Sequence, residues 1–204
     1  AWYGEKYGDN TKYLFEHINK NEPDIRSVWL TRNQFAFDLI NTKGYEVYLT
    51  YSLKGFLLSM RAEKVFITVG IKDVNRYAIN RKDVIMMWHG NTPIKKIVFD
   101  DTITRNNQLF LEKFLYFLFP FLGTTRFNGV AISGSEEASI IFKSAFRANE
   151  KQILLTGYPR NDTFFDMDQN APILAEIESL KRTDTTTVIY MPTHRKEGKG
   201  EISE

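Results

Sequence analysis

Seven short apolar runs punctuate the chain: Ser27 to Thr31, Glu46 to Thr50, Val65 to Val69, Val84 to Trp88, Gly129 to Ser133, Gln152 to Thr156 and Val188 to Met191. Several are continuous in Val, Ile and aromatic residues instead of alternating with polar ones. That is the pattern of strands covered on both faces, as in a parallel sheet. Helical patterns lie between them. Asn10 to Asn19 carries Tyr13, Leu14 and Ile18 as an apolar stripe, and Asn33 to Asn41 carries Phe35, Phe37 and Ile40. Ser52 to Arg61 opens on a serine cap. Ser135 to Phe146 places Glu136 and Glu137 in its first turn, where negative charge suits a helix N-terminus.

Strand and helix alternate at a spacing of roughly 20 residues, which predicts βαβ units: an α/β fold with a Rossmann-like parallel sheet and flanking helices. Ligands of such sheets collect at the carboxyl ends of the strands. The loops after Trp88, Thr156 and Met191 are therefore the places to look. Apolar patterning breaks between Asn161 and Ala171, where Asp162, Asp166, Asp168, Asn170 and Pro172 intervene. We place a domain over residues 1–160 and the opening of a second over 161–204.

Composition narrows the partners more than it defines them. A formal net charge of +2 over 204 residues gives no global argument for nucleic acid. The absence of cysteine excludes disulfide scaffolds, cysteine nucleophiles and thiolate metal sites. His17, His89 and His194 are far apart and no ligand spacing links them, so no metal or other cofactor is expected. Neither a phosphate-binding Gly-rich loop nor a nucleophile elbow is present. No leader pattern opens the chain, and no stretch of about 20 apolar residues could span a bilayer.

Five segments can carry chemistry. Trp88-His89-Gly90-Asn91-Thr92-Pro93-Ile94-Lys95-Lys96 presents an imidazole at a strand end, with two lysines beyond it for phosphate. A His-Gly at a strand end is otherwise an ordinary structural exit. Gly157-Tyr158-Pro159-Arg160-Asn161-Asp162 is either a hinge in which Arg160 and Asp162 satisfy each other or the lining of an interdomain cleft. Thr193, His194 and Arg195 follow the last strand and could receive phosphate oxygens. Asp9 and Asn10 read as a helix cap or as an acceptor-site polar cluster facing the His89 loop. Finally, Phe114, Phe117 and Phe119 belong to an aromatic run interrupted by Pro120, either a core helix or a segment lying in a lipid headgroup layer.

The ordered set of these motifs resembles the CDP-glycerol glycerophosphotransferase family, the teichoic-acid polymerases, primases and related capsule enzymes. The pieces are Gly8 to Glu16, Trp88-His89-Gly90 with Thr92-Pro93-Ile94-Lys95, the Ser133 to Phe146 junction, Gly157 to Asp162, and Tyr190 to Arg195. The resemblance implies a GT-B architecture and a catalytic base at His89. It also implies transfer of glycerol phosphate or ribitol phosphate from CDP-glycerol or CDP-ribitol to a lipid-linked polymer acceptor, with CMP released. It further implies peripheral attachment to the cytoplasmic face of the bacterial cell membrane. Asp9, Asn10, Asn91, Thr92, Lys95 and Lys96 are then acceptor or phosphate candidates. Arg160, Asn161, Asp162, Thr193, His194 and Arg195 are cleft or donor candidates. Two departures stand out: Asn91 interrupts the usual His-Gly-Thr-Pro, and His194 replaces an aromatic, so the resemblance gives His194 no catalytic role. The polar tail from Arg195 reads as a cut end, with most donor ligands expected beyond Glu204 and the chain alone expected to be inactive. Two other readings are a nucleotide-sugar GT-B glycosyltransferase and a non-catalytic membrane-docking or binding domain.

Overall fold

A computed structural model of the chain describes residues 1–75, 77–79, 83–90, 96–101, 129–165, 175–179, 186 and 188. The chain divides into two compact units, Ala1–Phe165 and Asp166–Glu204. All elements named below belong to the first.

Six of the seven Val- and Ile-rich runs form strands, as their patterning predicts; the seventh, Val188 to Met191, lies outside the described residues apart from Val188. Strand β1 (Trp29–Thr31) pairs in parallel with β2 (Val47–Leu49), Leu30 lying opposite Tyr48. Strands β3 (Lys64–Ile67), β4 (Asp83–Met86), β5 (Val130–Ser133) and β6 (Ile153–Leu155) form a second ladder in that order, again wholly parallel. Val65 pairs with Val84, Ile85 with Val130 and Ile132 with Leu154. The sequence suggests one continuous sheet, whereas hydrogen bonding divides the strands into two ladders. A cavity of about 630 Å³ is lined by Trp29 and Leu30 of β1 and by Lys64, Val65 and Phe66 of β3. Trp29, which lines this cavity, is itself buried against Tyr7 and Phe15.

Helices α1 (Asp9–Asn21), α2 (Gln34–Thr42), α3 (Leu53–Arg61) and α4 (Glu136–Phe146) alternate with the strands. Three start where side chains replace the missing intrahelical acceptors. Asn33 accepts from the Ala36 N–H at 3.0 Å, Ser52 from Gly55 at 3.0 Å and Ser135 from Ala138 at 3.1 Å. Each such cap stabilises its helix by about 1 kcal/mol. Gly55 is required by close approach, since a Cβ there would lie 2.3 Å from the Leu49 carbonyl oxygen. In α2 the expected stripe is shifted: Ala36 and Ile40 are buried, but Phe35 is 78% exposed. At 100° per residue, Phe35 and Ile40 stand about 140° apart and cannot share a face.

The core that concerns the site combines Val65, Ile67, Ile79, Met86, Trp88, Ala131, Phe142 and Phe146. Trp88 lies edge-on to Phe146, ring centroids 5.4 Å apart, and to Phe142 at 6.3 Å. The residue before His89 is thereby anchored in apolar packing.

Candidate active site

Strand β4 ends at Met86, and the chain then leaves the carboxyl edge of the sheet carrying His89. The Met87 N–H still donates to the Ile67 carbonyl at 2.8 Å. Trp88 turns into the left-handed region with φ of 51°, a conformation that costs a non-glycine residue about 1–2 kcal/mol. Asn10 supports this turn. Fully buried in the first turn of α1, its amide donates to the Met87 carbonyl at 3.2 Å and the Trp88 carbonyl at 3.0 Å. Its Oδ1 accepts the backbone N–H of Arg160 at 3.3 Å. One side chain therefore fixes the strand exit before His89 to the 3-10 turn Pro159–Phe164. On the far side of His89, the buried Tyr158 hydroxyl donates to the Gly90 carbonyl at 3.1 Å.

The imidazole lies against two indoles, stacked on Trp88 with ring centroids 4.4 Å apart and tilted on Trp2 at 4.9 Å. Burial among these rings pushes the His89 pKa below the ordinary histidine value. The Asp9 and Asp73 carboxylates oppose that shift and the Arg160 guanidinium adds to it. The neutral imidazole is the favoured form near pH 7, which is what a proton acceptor requires. Asp9 occupies the left-handed region with φ of 62° and accepts from Arg160 Nη1 at 3.1 Å. Asp73, almost fully buried, accepts the backbone N–H groups of Thr68, Val69 and Tyr3, tying the segment after Trp2 to the exit of β3.

The structure thus brings His89, Asp9, Asn10 and Arg160 together. The N-cap is Gly8, which has no side chain to cap α1; Asp9 Oδ1 accepts the first-turn Asn10 N–H at 2.8 Å, while Asn10 points its amide at the β4 exit. Arg160 pairs with Asp9 and not with Asp162, because residues two apart in a 3-10 turn diverge by about 120°. Asn161 and Asp162 are exposed, Asn161 beside the Arg160 side chain in a shared recess. Lys96 is also exposed, and among the described residues no hydrogen bond or ion pair links it to His89. Asn91, Thr92, Lys95, Thr193, His194, Arg195, Phe114, Phe117 and Phe119 lie outside the described residues. Trp2, Asp73 and Tyr158 are additions to the site. Tyr158 had a signal, its place inside the Gly-Tyr-Pro strand exit; Trp2 had none. Among the described residues, no cluster of three or more His, Asp or Glu side chains could hold a metal ion. Among them, too, no helix is long and apolar enough to cross a membrane.

A family model described as CDP-glycerol:poly(glycerophosphate) glycerophosphotransferase matches residues 1–204. The chain belongs to this family. Relatives of this glycerophosphotransferase-family chain include a teichoic acid glycerol-phosphate transferase of Staphylococcus aureus, 28% identical over 205 residues, covering 96% of the chain and 49% of that protein. A teichoic acid poly(glycerol phosphate) polymerase of Staphylococcus epidermidis is 27% identical, covering 94% of the chain and 26% of that protein. Among solved structures, the wall teichoic acid polymerase TagF superposes with a TM-score of 0.68 at 25% identity, over 95% of the chain and 46% of TagF. The chain therefore spans half or less of the length of these relatives, and its mixed α/β architecture is that of TagF.

Proposed function

We propose that the protein transfers glycerol phosphate from a CDP-polyol donor to a teichoic-acid-type acceptor, with His89 as general base. The observation that carries this reading is the mounting of His89. It is a neutral, half-buried imidazole at a strand's carboxyl end, braced on both sides in sequence by Asn10 and Tyr158. In the reaction, the imidazole takes the proton of the acceptor hydroxyl as that oxygen attacks the phosphorus bound to glycerol. A new P–O bond forms, the pyrophosphate P–O bond breaks, and CMP leaves with the electron pair. Glycerol, in preference to ribitol, is favoured by the names of the relatives. Residues 1–160 supply the acceptor side in this reading. The part from about residue 161 opens the nucleotide-binding half, and the acceptor is lipid-linked at the cytoplasmic face of the membrane.

His89→Ala in the full-length protein is expected to lower glycerol-phosphate transfer by a hundredfold or more, the usual contribution of a positioned base being about 10²–10⁴. CDP-glycerol binding should persist. Activity within a few-fold of the unaltered protein would remove His89 from the chemistry. Incorporation of label from UDP-sugars but not from CDP-glycerol would overturn the donor class.

A further inference from the structure

Beside His89 lies a recess of about 660 Å³ whose walls include Trp2, Lys6, Tyr7, Asp9, Tyr13 and Arg160. It adjoins the base through Trp2, whose ring contacts the imidazole, and through Asp9 and Arg160, whose charges both act on it. Its size falls in the range of small-molecule sites, about 300–1,000 Å³. Its charges are few and can be assigned. The Arg160 guanidinium is held by the Asp9 carboxylate at 3.1 Å, so that pair is close to neutral. Lys6 is exposed and makes no ion pair among the described residues. Its ammonium lies 5.5 Å from the Trp2 ring centroid, toward the same side chain that contacts His89. The Tyr7 hydroxyl is committed to Glu16 at 2.8 Å, and Lys12 to the same carboxylate group at 3.7 Å. The recess therefore carries one uncompensated positive charge, beside the paired Arg160 and Asp9, and aromatic walls.

We infer that this recess binds the phosphodiester nearest the attacking hydroxyl of the acceptor, with Lys6 as its principal cation and Arg160 as a supporting donor. This rests on the transferase reading above. A phosphodiester carries one negative charge, which matches the single unpaired cation. The three carbons of a terminal glycerol separate that phosphodiester from the free hydroxyl that must reach the imidazole. A recess one ring away from His89 suits that spacing. Asp9 works against any anion placed on the Arg160 side. The phosphodiester is accordingly assigned to the Lys6 wall, and the aromatic walls receive the glycerol backbone.

Glycerophosphoglycerol, two glycerols joined by one phosphodiester, is the probe, with glycerol and inorganic phosphate as comparisons, by calorimetry on the full-length protein. Lys6→Glu is expected to weaken glycerophosphoglycerol binding by roughly tenfold or more, since a charge-assisted contact becomes a repulsion. Lys20→Glu makes the same charge change at the far end of α1 and should leave binding unchanged. In transfer assays, Lys6→Glu should raise the acceptor KM to a similar degree without changing the KM for CDP-glycerol. Equal binding by the unaltered protein and Lys6→Glu, or equal loss in Lys20→Glu, overturns the assignment. So does tighter binding of inorganic phosphate than of the diester. A headgroup role is separated by phosphatidylglycerol vesicles: loss of vesicle binding in Lys6→Glu with an unchanged acceptor KM also overturns it. If the protein binds the probe through Lys6 yet transfers no glycerol phosphate, the subsite stands and the transferase reading falls. If transfer proceeds with an unaltered acceptor KM in Lys6→Glu, the reverse holds.

Discussion

Replacing Asn10 with alanine tests how the base is held. Asn10 is fully buried and makes three hydrogen bonds, at 3.2, 3.0 and 3.3 Å, to Met87, Trp88 and Arg160. Alanine is the best helix former, so if Asn10 merely served α1 the change would be neutral or stabilising. Instead, two buried carbonyls and one N–H lose their partner. At about 1 kcal/mol for each lost bond the expected destabilisation is roughly 3 kcal/mol, with more if water cannot reach the vacated groups. In a protein of this size that corresponds to a fall in melting temperature of roughly 6–12 °C. Function should suffer separately. Trp88 holds a left-handed backbone conformation next to the base, and a displacement of about 1 Å at a reacting group costs about a hundredfold in rate. Thermal unfolding and transfer assays on Asn10→Ala and Asn10→Asp measure both. Asn10→Asp keeps the acceptor toward Arg160 but loses both donors and sets a carboxylate against two carbonyls, so it should be no better than alanine. A melting temperature within about 2 °C of the original, with turnover within a few-fold, would refute the bracing role.

The His89 pKa is depressed, mainly by burial, so the stability gained from its neutral form is complete above the ordinary histidine value of about 6.5 and is lost as pH falls through the lower folded value. The acid limb of kcat/KM should therefore lie below about 6.5. Asp9→Asn removes an opposing charge and should move that limb further down, whereas Arg160→Met should move it up; shifts in the other directions contradict the assignment. Tyr158→Phe removes only the hydroxyl that holds the Gly90 carbonyl and should cost about 1 kcal/mol in denaturant unfolding. A larger effect on turnover than on CDP-glycerol binding is expected of it, and the opposite split would count against a bracing role.

The strands and helix starts were legible because their causes are local. Val-Ile runs, a serine three residues before a helical N–H, and paired glutamates in a first turn act over a few residues, and β1 to β6, the Ser52 cap and the start of α4 at Ser135 fall where those signals put them. The division into two ladders was not legible, since the strands of both ladders carry the same kind of short apolar run and nothing local says which run pairs with which. The same distinction governs the site. His89, Asp9, Asn10 and Arg160 stand out as polar residues at element ends, but which of them meet is a tertiary fact. Arg160 finds Asp9 across 151 residues while Asp162 stands two positions away, because the pitch of a 3-10 turn turns the nearer carboxylate aside. Trp2, an aromatic in an irregular segment, carries no periodicity that would mark it as a wall of the site.

The Asn10 bracket spans sequence separations of 77, 78 and 150 residues. During synthesis, α1 leaves the ribosome first, the β4 exit follows, and the third arm closes only when Arg160 has emerged. The last contact of the bracket can therefore form only after every residue of β3 to β6 has been made. A chain ending before residue 160 would carry His89 with the two Asn10 bonds to the β4 exit but without the arm to Arg160 or the Arg160–Asp9 pair.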